Sequence, residues 1–299
     1  MMKDNDKNIL LAAGGTGGHL YGAESLASEL SLEGYNTFLF TDKRVGKLVK
    51  GFVQDNVKEI FSDTFTNKSF YKWPFVVFKI LLGFISSLIL IKKINPKAVV
   101  GFGGYPTIPV ILAAKLYGSK IIIHEQNIIL GRANKLLVKL ADIITLGFDN
   151  TIGVPKNYRK RTFFSGNPIR RDILKYQSPY EAFNEKDKFN LVIFGGSQGA
   201  SFFSKTIPPS LCMLSDKKKS FLKVFHQVRP EEVESVKNFY NSKNINAEVS
   251  NFFDNLPVLL NSSHLIISRS GASTVSEISA IKRPAILIPF PDSIDSDQK

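Results

Sequence analysis

Three short stretches carry residue types that could do chemistry, and each follows an apolar run. The first is Gly14-Gly-Thr-Gly-Gly-His19. Glycines at a strand-to-helix turn let the backbone approach an anion, and the N–H groups opening the next helix point toward it. His19 would add a neutral imidazole able to take a proton from an attacking hydroxyl. The plain alternative is a tight turn that holds no ligand, with a structural histidine. The loop lacks the Gly-Lys-Ser/Thr ending of a P-loop, which counts against nucleotide hydrolysis, and its glycines lack the dinucleotide spacing. The second stretch is Gly195-Gly-Ser-Gln-Gly199, whose amides and Ser197 hydroxyl could hold a diphosphate. The third, Ser268-Arg-Ser-Gly-Ala-Ser-Thr-Val-Ser-Glu277, opens a helix. Glu277 could accept hydrogen bonds from ribose hydroxyls while the helix start faces phosphate. Alternatively, Ser273 or Thr274 with the nearby glutamate forms an ordinary cap.

The elements that must position these loops repeat one rhythm: a short apolar run, a turn, then a helical pattern. Strands are expected at Asn8–Ala13, Thr37–Phe40, Ala98–Gly101, Lys120–His124, Asp142–Leu146, Phe189–Phe194, Leu222–His226, Ala247–Ser250, Leu265–Ser268 and Ala285–Pro289. Helix-length intervals between them predict parallel sheets covered on both faces, an α/β class. The rhythm restarts after a polar, basic stretch, so two Rossmann-like domains are expected, 1–165 and 166–299. The seam is read at Phe164-Ser-Gly-Asn-Pro168, where Gly and Pro punctuate the chain.

Composition narrows the partners. The single Cys212, inside the apolar Ser210-Leu-Cys-Met-Leu214, excludes an intramolecular disulfide and reads as a buried structural thiol in a reducing compartment. Met1–Asn8 lacks a secretory pattern, which predicts the cytoplasm or the cytoplasmic side of a membrane. Of the net charge of +13, residues 1–165 carry 22 Lys and Arg against 12 Asp and Glu. That excess suits anionic lipid, nucleic acid or a phosphorylated substrate. No helix-turn-helix, zinc-finger or RNP-like pattern supports nucleic acid. From Phe75 to Ile91 the chain is apolar except for Lys79, Ser86 and Ser87, with Gly83 between. Three readings stand: a transmembrane helix, opposed by its central lysine; a well-buried helix with snorkelling lysines; or an interfacial helix whose flanking Lys68, Lys72, Lys92, Lys93 and Lys97 meet anionic headgroups.

Taken together, Gly14–His19, Val100-Gly-Phe-Gly-Gly-Tyr-Pro106, His124-Glu-Gln-Asn127, Gly166-Asn-Pro-Ile-Arg170, Gly195–Gly199 and Ser268–Glu277 resemble, in order and along the whole chain, the MurG family of N-acetylglucosaminyltransferases. The resemblance implies the glycosyltransferase-B fold, two Rossmann-like domains facing a cleft. It also implies a reaction in peptidoglycan synthesis that converts lipid I to lipid II, without cofactor or protein-bound metal. On that basis the donor UDP-GlcNAc meets Ser197 and Gln198 at its diphosphate, Phe253 at uracil, Ala272, Ser273 and Thr274 at phosphate and sugar, Glu277 at ribose and Gln298 at the sugar hydroxyls. Thr16, Gly17, Gly18, His19 and Asn127 reach the sugar and reaction centre, and Arg170 faces the diphosphate. His19 is the candidate base or an orienting group. The acceptor, an undecaprenyl-diphosphate-linked muramoyl-pentapeptide, is expected against the first domain. The Trp73–Lys93 segment is expected on an anionic membrane surface, at the cytoplasmic face of a bacterial inner membrane, with attendant roles in cell shape and division.

The chain departs from the family pattern in three places. Gly22 replaces a proline, and Asp297-Gln298-Lys299 stands where the family has His-Gln or Gln-Gln. Relatives continue for several more helices, so the second domain is expected to be incomplete. The alternative is an inactive truncated donor- or membrane-binding protein, or another UDP-sugar enzyme of the same fold.

Overall fold

A computed structural model describes residues 7–15, 17–43, 52–64, 69–195, 201–291 and 298. The chain divides into two units, Met1–Arg170 and Arg171–Lys299.

The first unit is built on a parallel sheet of β1 (Asn8–Ala12), β2 (Asn36–Thr41), β3 (Val57–Glu59), β4 (Ala98–Gly101), β5 (Lys120–Glu125), β6 (Ile143–Leu146) and β7 (Thr162–Phe164), in the order β3-β2-β1-β4-β5-β6-β7. Along β1, Leu10 and Ala12 enter one apolar cluster while Ile9 and Leu11 enter another on the opposite face. A sheet covered on both faces needs continuous apolar strands, which is why these runs do not alternate with polar residues. One face is covered by α1 (Gly17–Leu32), through Leu20, Ala23 and Ala27. The other is covered by α2 (Trp73–Ile94), α3 (Thr107–Tyr117) and α4 (Arg132–Leu137). Helix α3 stops at Gly118, whose left-handed backbone (φ 88°) lets its N–H bond Ala114 and Lys115 carbonyls.

Helix α2 corrects one expectation. Its buried residues are only Val76, Gly83, Ser87 and Ile91, a single narrow stripe, so it is not the well-buried helix the apolar run allowed. That stripe lies against the unit: Gly83 leaves no space for a β-carbon over the Phe61 carbonyl, and Lys79 reaches Asp63 at 3.1 Å. On the opposite side Phe78, Leu82, Ile85 and Ile89 form a second stripe, 58%, 37%, 46% and 64% exposed. By length and composition alone the segment Phe70–Ile94 is long and apolar enough to cross a membrane, and little of it is buried in the unit.

The second unit has β8 (Phe189–Phe194), β9 (Leu222–Gln227), β10 (Ala247–Ser250), β11 (Leu265–Arg269) and β12 (Ala285–Ile288), all parallel, in the order β10-β9-β8-β11-β12. Around it run α5 (Arg171–Lys175), α6 (Ser201–Cys212), α7 (Asp216–Phe221), α8 (Val233–Ser242), α9 (Leu256–Asn261) and α10 (Ala272–Ile281). Leu191, Ile193, Phe203, Val224, Val236 and Tyr240 form its core. The α/β class is thus as the alternation predicts.

Candidate functional site

In each sheet the strand order reverses once: between β1 and β4 in the first unit, and between β8 and β11 in the second. At such switch points, crevices open beyond the carboxyl ends of the strands, and α/β proteins bind ligands there. The described parts of the loops named above follow these strands: Gly14, Gly15 and Gly17–His19 come after β1, Phe102–Pro106 after β4, Gly195 after β8 and Ser270–Glu277 after β11, while residues 196–199 lie outside the described residues.

In the first unit the two loops interlock. A β-carbon on Gly14 would lie 2.6 Å from Pro106 Cγ, and one on Gly104 would fall on the Gly14 carbonyl oxygen. Gly103 and Gly104 both have positive φ (94° and 78°). Close loop packing alone therefore demands part of the glycine pattern. The carboxylate of Asp42, at the end of β2, accepts the Gly15 N–H at 2.9 Å and holds the turn. His19 stands half-buried in the first turn of α1, and its Nδ1 lies 2.9 Å from the Gly14 carbonyl. A carbonyl only accepts, so Nδ1 carries the proton and the lone pair of the neutral ring sits on Nε2. Gly17 and Gly18 open the same helix; Thr16 lies outside the described residues.

The segment after β5 is organised by Glu125, 1% exposed. Its Oε1 accepts the Asn127 N–H at 2.9 Å, and its Oε2 accepts the Gly131 N–H and Asn134 Nδ2, both at 2.8 Å. Burial raises the Glu125 pKa, and these donors act against the rise. Asn127 is thereby fixed at the end of β5. Beside it His124, also buried, binds Asn167 Oδ1 through Nε2 at 3.2 Å and Thr145 Oγ1 through Nδ1 at 3.0 Å. Burial pushes His124 down to about 4; the Asn167 bond opposes this, and the nearby His19, when protonated, adds to it. Arg170 lies 5.1 Å from the ring centre of Tyr21, two residues beyond His19.

In the second unit the structure changes one detail. Helix α10 begins at Ala272 with Gly271 as its N-cap, and no side chain caps it. Ser273 and Thr274 thus stand inside the first turn, half-buried, and the capping-box alternative is not realised. Glu277 is 7% exposed on this helix. Gln298 is brought to the helix start: its carbonyl accepts Ser270 Oγ at 2.8 Å, and its Oε1 accepts the Phe290 N–H at 3.0 Å. The Phe253 ring is buried, edge-on to Phe225 at 6.4 Å. Ser197 and Gln198 lie outside the described residues.

Sequence reasoning gave no role to Asp42, Glu125, Asn134 or Arg269. The Arg269 guanidinium lies 5.0–5.4 Å from the rings of Phe202, Phe203 and Phe290, and donates to the Pro289 carbonyl at 2.9 Å. The arginine inside the Ser268–Glu277 run was a visible signal; its aromatic partners, far apart in sequence, were not.

Comparison with known proteins agrees with the α/β fold of parallel sheets. Residues 9–145 match the glycosyltransferase family 28 N-terminal domain, and residues 190–299 match the family 28 C-terminal domain. The UDP-N-acetylglucosamine--N-acetylmuramyl-(pentapeptide) pyrophosphoryl-undecaprenol N-acetylglucosamine transferase of Rhizobium meliloti (strain 1021) is 46% identical over 97% of this chain and 77% of its own length. The enzyme of the same name from Brucella abortus (strain S19) is 42% identical over 98% of this chain and 77% of its own. Among solved structures, Acinetobacter baumannii MurG superposes with a TM-score of 0.73 at 28% identity, covering 98% of this chain and 80% of that one.

Proposed function

The chain belongs to glycosyltransferase family 28 and, within it, to the MurG family, and from that premise we propose how its own residues carry the family's reaction. The enzyme transfers N-acetylglucosamine from UDP-GlcNAc to the 4-hydroxyl of the muramoyl sugar of lipid I, giving lipid II for peptidoglycan synthesis. The reaction is a single inverting displacement: the acceptor hydroxyl attacks the anomeric carbon and UDP departs. His19 takes the hydroxyl proton on Nε2. The observation that carries this assignment is its Nδ1 bond to the Gly14 carbonyl, which places the accepting lone pair on Nε2 at the switch point of the first sheet. Asn127, fixed by Glu125, orients the sugar, and the Arg170 guanidinium faces the departing diphosphate.

On the donor side, Ser197 and Gln198 serve the diphosphate; Ala272, Ser273 and Thr274 present the start of α10 to phosphate and sugar. Glu277 takes the ribose hydroxyls and Gln298 the sugar hydroxyls. Phe253 meets uracil through its main chain, because its ring is occupied by Phe225. The exposed apolar stripe of α2, with Lys72, Lys92 and Lys93 at its ends, rests on an anionic membrane surface at the cytoplasmic face, where lipid I is presented. Roles in cell shape and division follow from lipid II supply. No comparison favours an inactive binding protein.

The test is transfer of labelled N-acetylglucosamine from UDP-GlcNAc to a lipid I analogue by the wild-type chain, His19→Ala and Glu277→Ala. Turnover by wild type is expected, with a roughly 100- to 10,000-fold lower kcat in His19→Ala. Glu277→Ala is expected to act mainly on the donor KM. Unaltered kcat in His19→Ala would remove the base assignment.

A further inference from the structure

We propose that Asn167 is a positioning residue: its carboxamide fastens the 166–170 segment to the ends of β5 and β6 and so seats Arg170 beside the start of α1. The role given to Arg170 rests on the transferase reading above; the fastening rests on geometry alone.

Asn167 Nδ2 donates to the Gln126 carbonyl at 3.1 Å, and Oδ1 lies 3.2 Å from His124 Nε2. The two bonds settle each other's polarity. Only the amide nitrogen can serve the Gln126 carbonyl, so Oδ1 must face the imidazole, which then donates from Nε2 and accepts from Thr145 at Nδ1. Burial keeps His124 neutral at ordinary pH, as this arrangement requires. The pocket for the carboxamide is made by Gly147, just beyond β6: a β-carbon there would fall on Asn167 Oδ1. The segment is also held just upstream, where the Ser165 N–H bonds the Leu146 carbonyl at 3.0 Å. Only Pro168 and Ile169 separate Asn167 from Arg170. Proline fixes its own φ and restricts the residue before it, so the orientation set at 167 passes down the chain with little slack. Arg170 arrives against Tyr21, on the first turns of α1 after His19. Neither aspartate, which has no N–H for Gln126, nor alanine can make both bonds.

The experiment is a double-variant cycle in the transfer assay: Asn167→Ala, Arg170→Ala, the two combined, and Gly147→Ala with and without Asn167→Ala. Asn167→Ala is expected to lower kcat roughly 10- to 100-fold, the scale of a small misplacement of a catalytic group. The combined variant is expected to be no slower than Arg170→Ala, since both remove one function. Losses that multiply would overturn the proposal. Gly147→Ala is expected to lower the melting temperature, and Asn167→Ala to restore part of that loss by vacating the crowded space; no rescue counts against it. Should Asn167→Ala fail to fold, Asn167→Asp replaces it in the cycle, keeping an acceptor for His124 while setting a carboxylate oxygen against the Gln126 carbonyl. Absence of transfer by wild type would sink the transferase reading, not the fastening. Amide hydrogen exchange over 165–170 then decides: faster exchange in the variant supports the fastening, and an unchanged rate overturns it.

Discussion

Glu125 shows how a single buried carboxylate can build a loop. It accepts three N–H groups from residues two, six and nine positions onward, so 126–134 folds around it. Glu125→Gln keeps the shape but turns an NH2 toward donors. The expected loss is about 1–3 kcal/mol of unfolding free energy by urea titration, the scale of a buried group left unsatisfied. An unchanged midpoint would show that the loop stands without it. This residue also marks the limit of what sequence conveyed. Histidine in a glycine loop and glutamate on a helix announce themselves by type, and both lie on a switch-point loop or the helix that follows it. Glu125 does not, because its meaning is the set of donors that converge on it. Likewise Gly14 reads as a phosphate-loop glycine, although the missing β-carbons of Gly14 and Gly104 also serve loop-to-loop contact.

At the scale of elements, the long apolar strands were legible because both faces of each sheet are covered. The edge strands β3 and β7 were not: Val57–Glu59 and Thr162–Phe164 are three residues each and owe their form to one neighbour. Helix α2 was found, but which of its faces is covered could not be read, since apolar residues surround it. Its exposed stripe makes a clear expectation. Phe78→Ser with Ile85→Ser removes solvent-facing apolar area, so stability should change by no more than about 0.5 kcal/mol per site. Sedimentation with anionic vesicles should fall several-fold. Equal sedimentation of variant and wild type would detach α2 from the membrane reading.

For the whole molecule, charge and acidity act unevenly. The +10 carried by residues 1–165 implies that vesicle binding weakens as salt rises, because exposed charges are screened beyond about 10 Å at 0.1 M. Binding insensitive to sodium chloride would leave the apolar stripe as the sole contact. In the second unit His226 is fully buried against the Tyr240 hydroxyl at 3.0 Å, and burial lowers its pKa from 6.5 to about 4. Between pH 6.5 and 4 the unfolded chain therefore takes up a proton that the folded unit refuses. Stability present at neutral pH is lost as pH falls, on the order of 3 kcal/mol for the full shift. His226→Gln should flatten the melting temperature between pH 7 and 5 relative to wild type; parallel curves would refute the assignment.

The position of β1 in its sheet also sets a schedule for synthesis. It is made before both of its neighbours, yet it lies in the sheet interior, and its second neighbour, β4, is complete only at Gly101. At about 5–20 residues per second, several seconds pass during which Asn8–Ala12 has at most one partner. Over that interval an apolar strand with an open edge is a target for other nascent chains. An unpaired edge of this kind is what makes a nascent α/β chain prone to misassociation, and here the exposure ends when β4 is seated beside β1.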